Sequence, residues 1–160
     1  MQAVRSSPVG IGIEQAQCQA TVFWTDAETE LQCRARPDAL AAAQLSPSRR
    51  IYDLKVTPHV TPNAFRRQLS TMRYWLQDAH YSAGMEALHA ESFDFYFVTV
   101  NRDRPHQVSV HMLDEASRRE AREKRRAILR HVREAMDSGE WRDGWQDTVN
   151  VHELRDWQFA

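Results

Sequence analysis

Two carboxylates and a lysine are the residues of this 160-residue sequence best placed to do chemistry. Asp38 follows Pro37 at the end of an alternating stretch, and Asp53 and Lys55 lie within Ile51-Tyr52-Asp53-Leu54-Lys55-Val56-Thr57. Period-two alternation sets Asp53, Lys55 and Thr57 on one face of a strand and Tyr52, Leu54 and Val56 on the other. An aspartate inside so apolar a strand runs against β propensity, which points to a task. Carboxylates at the ends of adjacent strands can share a hard divalent cation that takes oxygen ligands and keeps several waters. Such a cation acidifies a bound water and offsets charge developing on a phosphate. A lysine one step along the same face can orient the attacking water or steady that charge. Downstream, Gln77 and Tyr81 share a face one helical turn apart, where an amide and a phenol can hold the lysine or a phosphate.

Elements must bring these residues together. Residues 1–16 read as a short lead-in with Pro8, Gly10 and Gly12. Gln17 to Trp24 suits a strand, and Leu31, Cys33 and Ala35 alternate with polar residues in a second strand, so the pair reads as a hairpin. Ala39 to Arg50 reads as a connection, and Ile51 to Thr57 as the third strand. Thr61-Pro62 is a helix start, followed by helical sequence to about Leu88 with a break near Ser70-Thr71. Phe93 to Val100 is aromatic and β-branched, hence a largely buried strand, and Gln107 to Met112 alternates as a further one. Asp114 can cap a long helix that ends near Gly139. Residues 140–160, with Trp141, Trp145 and Trp157, read as an irregular strap. The order of strands, helix, strands and helix is that of an α+β fold, a mixed sheet with helices packed on it, in a single domain over residues 1–160.

Composition narrows the partners. Lys and Arg total 21 and Asp and Glu 22, a formal charge of −1, which excludes a globally basic coat and an acidic disordered tail. The mean hydropathy is −0.65, and no apolar run approaches the roughly 20 residues of a membrane span, so a cytoplasmic protein is expected. Only Lys55 and Lys124 interrupt an otherwise all-Arg set of cations. Cys18 and Cys33 read as two reduced thiols, and the seven histidines show no metal-binding spacing. Asp114 to Glu134 carries eight basic and five acidic residues, and Arg119, Arg122, Arg126, Arg130 and Arg133 form one stripe. The interspersed glutamates favour surface ion pairs over a nucleic-acid contact there. On that helix Ala121, Ile128, Val132 and Ala135 are expected to be the buried side.

Pro37-Asp38, Asp53-Leu54-Lys55 and Gln77-x-x-x-Tyr81, in that order, resemble the PD-(D/E)xK nucleases. The QxxxY element resembles the branch of lambda exonuclease and the RecE-type exodeoxyribonuclease VIII group. The matching text is Val22 to Asp26, Cys33 to Leu40, Ile51 to Thr57 and Tyr74 to Tyr81, and the likeness extends over about residues 17–160. It implies a restriction-endonuclease-like mixed sheet flanked by helices. Asp38 and Asp53 would ligate Mg²⁺ or Mn²⁺ with the backbone carbonyl of Leu54, and Lys55 would position the hydrolytic water. Gln77 and Tyr81 would support Lys55 and contact the scissile region. Arg36, Thr57 and Arg73 would be DNA contacts. Family domains usually begin with helices that supply an early acidic ligand; here Glu14 is the residue to stand in, and Gln19 lies where a glutamate aligns. The implied function is a Mg²⁺-dependent deoxyribonuclease acting 5′ to 3′ on duplex ends in phage-type recombination. A ring homo-oligomer and a RecT-like single-strand annealing protein would be its partners. The alternatives are a structure-specific or restriction-like endonuclease on the same fold, or an inactive, truncated DNA-binding remnant.

Overall fold

A computed structural model describes residues 2–7, 9–41, 49–141 and 149. Two short helices, α1 (Gln2–Arg5) and α2 (Gly10–Glu14), precede β1 (Gln17–Cys18) and the hairpin of β2 (Val22–Thr25) and β3 (Gln32–Ala35). Then come β4 (Ala39–Ala41), β5 (Arg49–Val56), α3 (Pro62–Thr71), α4 (Tyr74–His89), β6 (Phe93–Val100), β7 (Val108–His111) and α5 (Glu115–Ser138). The five-stranded sheet has the order β1-β4-β5-β6-β7. β5 and β6 are parallel and joined by α3 and α4; the other pairs are antiparallel. A parallel pair needs such a crossover, and the helices cover one face of the sheet.

β6 is the spine of the core. Its odd residues Phe93, Phe95 and Phe97 pack with Ile51, Phe65 and Met85 on the helical side. Its even residue Val98 packs with Tyr52, Ala39 and Ala41 on the other side, where α1, α2 and the turn between them add Val4, Ile13 and Val9. The expected loose lead-in is therefore two short helices seated on the sheet. α2 approaches closely at Gly12, where a Cβ would lie 2.4 Å from the Tyr52 hydroxyl. The hairpin docks on α4 through Trp24, which occupies the space a Cβ on Gly84 would need, 2.5 Å away.

Four expectations need correction. The strand expected from Gln17 to Trp24 is two strands in different sheets, because Gln19 turns the chain at φ 51°. Its N–H donates to the Asp38 carbonyl at 3.0 Å and its side chain accepts from Arg36 at 2.6 Å. The connection expected from Ala39 contains β4, whose burial comes from tertiary pairing with β5. The helix break falls at Met72-Arg73, with Arg73 left-handed at φ 53°, and Thr61 sits at the N-cap of α3 without a side-chain bond. On α5, Asp114 caps as expected, accepting from Ser117 N at 2.8 Å, and Gly139 ends the helix at φ 72°. The buried residues of α5, however, are Arg118, Ala121, Arg125 and Ala135, and Ile128 is exposed. Buried acceptors explain the two arginines: Arg118 donates to the Phe93 carbonyl at 2.7 Å and Arg125 to Asp26 at 2.9 Å. Four of the five stripe arginines are engaged with carboxylates, Arg122 with Glu86, Arg126 with Glu123, Arg130 with Glu28 and Arg133 with Asp137. Both cysteines are free, Cys18 exposed and Cys33 buried. Trp141 is exposed, and the rest of the expected strap, with Trp145 and Trp157, lies outside the described residues. No helix among the described residues is long and apolar enough to cross a membrane.

Candidate active site

The site begins on β5, near the carboxyl end of the parallel pair. Ile51, Asp53 and Lys55 alternate toward the helical face, and Asp53 is 4% exposed. Such a carboxylate is costly to bury unless it is partnered. The Lys55 ammonium lies 2.5 Å from Asp53 Oδ2, and Gln77 Nε2 donates to Asp53 Oδ1 at 2.5 Å. Lys55 Nζ in turn donates to Gln77 Oε1 at 2.9 Å. Asp53, Lys55 and Gln77 form a closed triangle between β5 and the first turn of α4. Its register depends on the left-handed residue Arg73, where α3 ends and α4 turns back over the strand.

The triangle leaves something over. Asp53 Oδ2 is fully buried and faces the ammonium as an ion pair, without an aligned hydrogen bond. Burial pushes the Asp53 carboxyl above the ordinary range and Asp38 pushes it further; Lys55 and Gln77 oppose this without cancelling it. The influence of Asp38 follows from sheet register. β4 pairs Ala39 with Tyr52, so one further step places Asp38 opposite Asp53, and residues opposite each other share a face. Asp38 Oδ2 accepts the Leu54 N–H at 2.7 Å. In a strand the N–H and C=O of one residue face the same neighbour, so the Leu54 carbonyl also points to the edge where Asp38 sits.

Tyr74 is a member that sequence reasoning missed. Its ring centroid is 4.2 Å from Lys55 Nζ, a cation–π contact that fixes the ammonium from a third side. The signal was available, since Tyr74 precedes Gln77 by three residues and shares its helical face. Tyr81, one turn beyond Gln77, packs edge-on against Phe95 with centroids 6.3 Å apart, and its hydroxyl makes no hydrogen bond among the described residues. It borders the site and lines the core without touching Lys55 by hydrogen bond.

Other expected members are placed elsewhere. Thr57, expected at DNA, is 2% exposed; its hydroxyl donates to Gln68 Oε1 at 2.9 Å and accepts from His59 N at 3.1 Å. It ties the end of β5 to α3, and burial takes it out of reach of a polymer. Glu14 is exposed and pairs with Arg5 at 2.9 Å on the α1–α2 unit, so the structure does not bring it to the aspartates. No group of three His, Cys, Asp or Glu side chains able to hold a metal exists among the described residues. Arg36 and Arg73 are exposed.

An aspartate and a lysine on β5, a second aspartate directly before the neighbouring β4 and a glutamine from a crossover helix match the PD-(D/E)xK pattern expected from the sequence. Comparison with known families agrees. The chain belongs to the family described as "PDDEXK-like domain of unknown function (DUF3799)", which matches residues 14–145. No curated protein matches it. Among solved structures it is similar to "Putative exonuclease" from Eubacterium rectale, at 12% identity and a TM-score of 0.65. That match covers 99% of this chain and 62% of the other, so the chain spans about three fifths of that protein's length. A second structure, SSO0001, aligns at 14% identity and a TM-score of 0.42 over 79% of this chain and 54% of its own. The fold is thus restriction-endonuclease-like, with the mixed sheet flanked by helices, and the family match places the chain among the PDDEXK-like domains.

Proposed function

We propose that the protein is a metal-dependent deoxyribonuclease that hydrolyses phosphodiester bonds at duplex DNA ends. The observation that carries this is the Asp53–Lys55–Gln77 triangle with Asp38 one register step away. A buried Asp53 beside a partly buried Asp38, with burial of Asp53 outweighing its partners, suits a cation better than it suits stability. Asp38, Asp53 and the Leu54 carbonyl would hold Mg²⁺ or Mn²⁺; all are hard oxygen donors, and a cation that keeps several waters needs no third carboxylate. The bound ion would supply an acidified water and offset the charge of the scissile phosphate.

The chain's own residues supply position. Lys55 carries three rotatable donors on a compact charge, suited to aim an attacking water and to face the oxygens of the pentavalent transition state. Gln77 accepts one of those donors and Tyr74 confines the ammonium, so the remaining donors point in a fixed direction. Asp53 holds the Lys55 ammonium in place as an ion pair at 2.5 Å. Desolvation strengthens each of these interactions relative to water.

By its resemblance to the RecE-type and lambda-exonuclease group, the proposal extends to 5′-to-3′ polarity, ring assembly and a RecT-like annealing partner in recombination. The test is incubation of linear 5′-phosphorylated duplex and closed circular duplex with Mg²⁺. Loss of the linear form alone, with the 5′ label released first, is the expected result. Nicking of circles would move the reading to an endonuclease. No cleavage with Mg²⁺ or Mn²⁺ would overturn it.

A further inference from the structure

The site accounts for one phosphate and leaves the rest of a nucleic-acid strand without a seat. Leu54 to Gln77 is the longest stretch of the sequence without Asp or Glu: 24 residues that contain Lys55, Arg66, Arg67 and Arg73, in a chain of net charge −1. It forms the end of β5, all of α3 and the first turn of α4, so the fold gathers this charge beside Lys55. His59, Ala64, Arg67, Gln68, Thr71 and Met72 line an open recess of about 410 Å³ there. Four other surface recesses each include a glutamate: Glu120, Glu14, Glu30, and Glu28 with Glu30 and Glu134. The α3 recess has Arg67 and His59 and no carboxylate.

Bonds connect the recess to the site. Thr57, two residues beyond Lys55, donates to Gln68, which lines the recess, and accepts from the His59 N–H. On its far side Arg73 directly precedes Tyr74, whose ring covers Lys55. Arg67 and Arg73 are exposed, and their side chains make no ion pair or hydrogen bond among the described residues. On α5, by contrast, Arg122, Arg126, Arg130 and Arg133 each meet a carboxylate. Two exposed arginines beside the site, Arg67 and Arg73, without a counter-charge among the described residues favour a polyanion as the missing partner.

We propose that His59, Arg67 and Arg73, at the recess and the α3–α4 corner, seat backbone phosphates of the strand that enters the site. This rests on the nuclease reading and names the surface by which the substrate is held. The contacts are sequence-independent, because guanidinium–phosphate pairs carry no base information.

The test is fluorescence anisotropy of labelled duplex in EDTA over a salt series, comparing wild type with Arg67→Gln/Arg73→Gln. Two lost phosphate contacts should lower the slope of log K against log salt by about 2. Binding at one salt should weaken about tenfold or more. Arg67→Gln/Arg73→Gly serves if the first variant does not fold, since glycine adopts the left-handed conformation readily. Arg126→Gln/Arg130→Gln, on the paired stripe, should change neither quantity. An unchanged slope in the corner variant, or an equal drop in the α5 variant, would overturn the proposal. If wild type cuts DNA while the slope stays unchanged, the phosphate seat fails and the nuclease reading stands. If the slope falls as expected while wild type never cuts with Mg²⁺ or Mn²⁺, the nuclease reading fails and the seat stands.

Discussion

Helix α4 borders two ionic clusters that are wired in opposite ways. On one side Gln77 closes the triangle with Asp53 and Lys55. On the other, His80 meets Arg125, which clamps Asp26 at the tip of the β2–β3 hairpin. Asp26 is satisfied at both oxygens: Oδ1 accepts from Thr29 N and Oγ1, and Oδ2 from Arg125. Burial raises its pKa, but the bonds from Arg125 and Thr29 outweigh burial, so the carboxyl lies below the ordinary range. At Asp53 burial wins and the carboxyl lies above it. One cluster stabilises the resting fold by completing its bonds. The other keeps a carboxylate whose partners do not offset its burial, a condition found at functional sites.

That contrast can be broken by mutation, and the largest effect is on catalysis. Asp53→Asn is expected to reduce DNA cleavage at least about a thousandfold, because it removes a charge at the proposed metal seat. Lys55→Arg should lose activity comparably, as a planar fork cannot reproduce the ammonium held by Gln77 and Tyr74. Cleavage at the wild-type rate in either variant would remove that residue from the site.

Arg125→Met should do the reverse. It leaves Asp26 without its cation in a confined position, and the expected cost is about 3 kcal/mol, read from urea unfolding. Cleavage measured well below the midpoint should persist. A cost under about 1 kcal/mol would reduce the clamp to an ordinary surface ion pair.

The smallest effect separates the clusters by pH. For Asp26 the folded pKa lies below the ordinary 3.8, so its contribution is present above about pH 3.8 and is lost as pH falls through the lowered value. For Asp53 the folded pKa lies above 3.8, so the metal-free protein loses stability as pH rises from about 3.8 through the raised value. A cation must displace that proton, so the rise in thermal midpoint on adding Mg²⁺ should shrink as pH falls toward the Asp53 pKa. A pH-independent shift, or one that survives in Asp53→Asn, would place the ion elsewhere.

Much of the site was readable because strands and helices have fixed periods. Spacing by two put Asp53 and Lys55 on one face, and spacing by four put Gln77 and Tyr81 on another, without knowledge of what faced them. The unread parts all involve a second element. Thr57 shares the face of Lys55 but is buried, because α3 crosses over it and Gln68 takes its hydroxyl. Glu14 was within reach in sequence terms, yet α2 packs on the other face of the sheet around Tyr52. Arg118 and Arg125 looked like solvated cations on α5 until Phe93 and Asp26 supplied buried acceptors.

The sequence by itself determined which side chains carry charge, their order, the faces they occupy, and where Asp114, Gly139 and Pro62 bound the helices. Local rules of this kind need only neighbours within a turn or a strand. Tertiary structure decided which of those charges meet. The Lys55–Gln77 bond spans 22 residues and the Arg125–Asp26 pair spans 99, so both exist only once the crossover and the hairpin have docked. The same docking determines whether a carboxylate's partners outweigh its burial, as at Asp26, or burial outweighs the partners, as at Asp53, because burial and partners arrive from different parts of the chain.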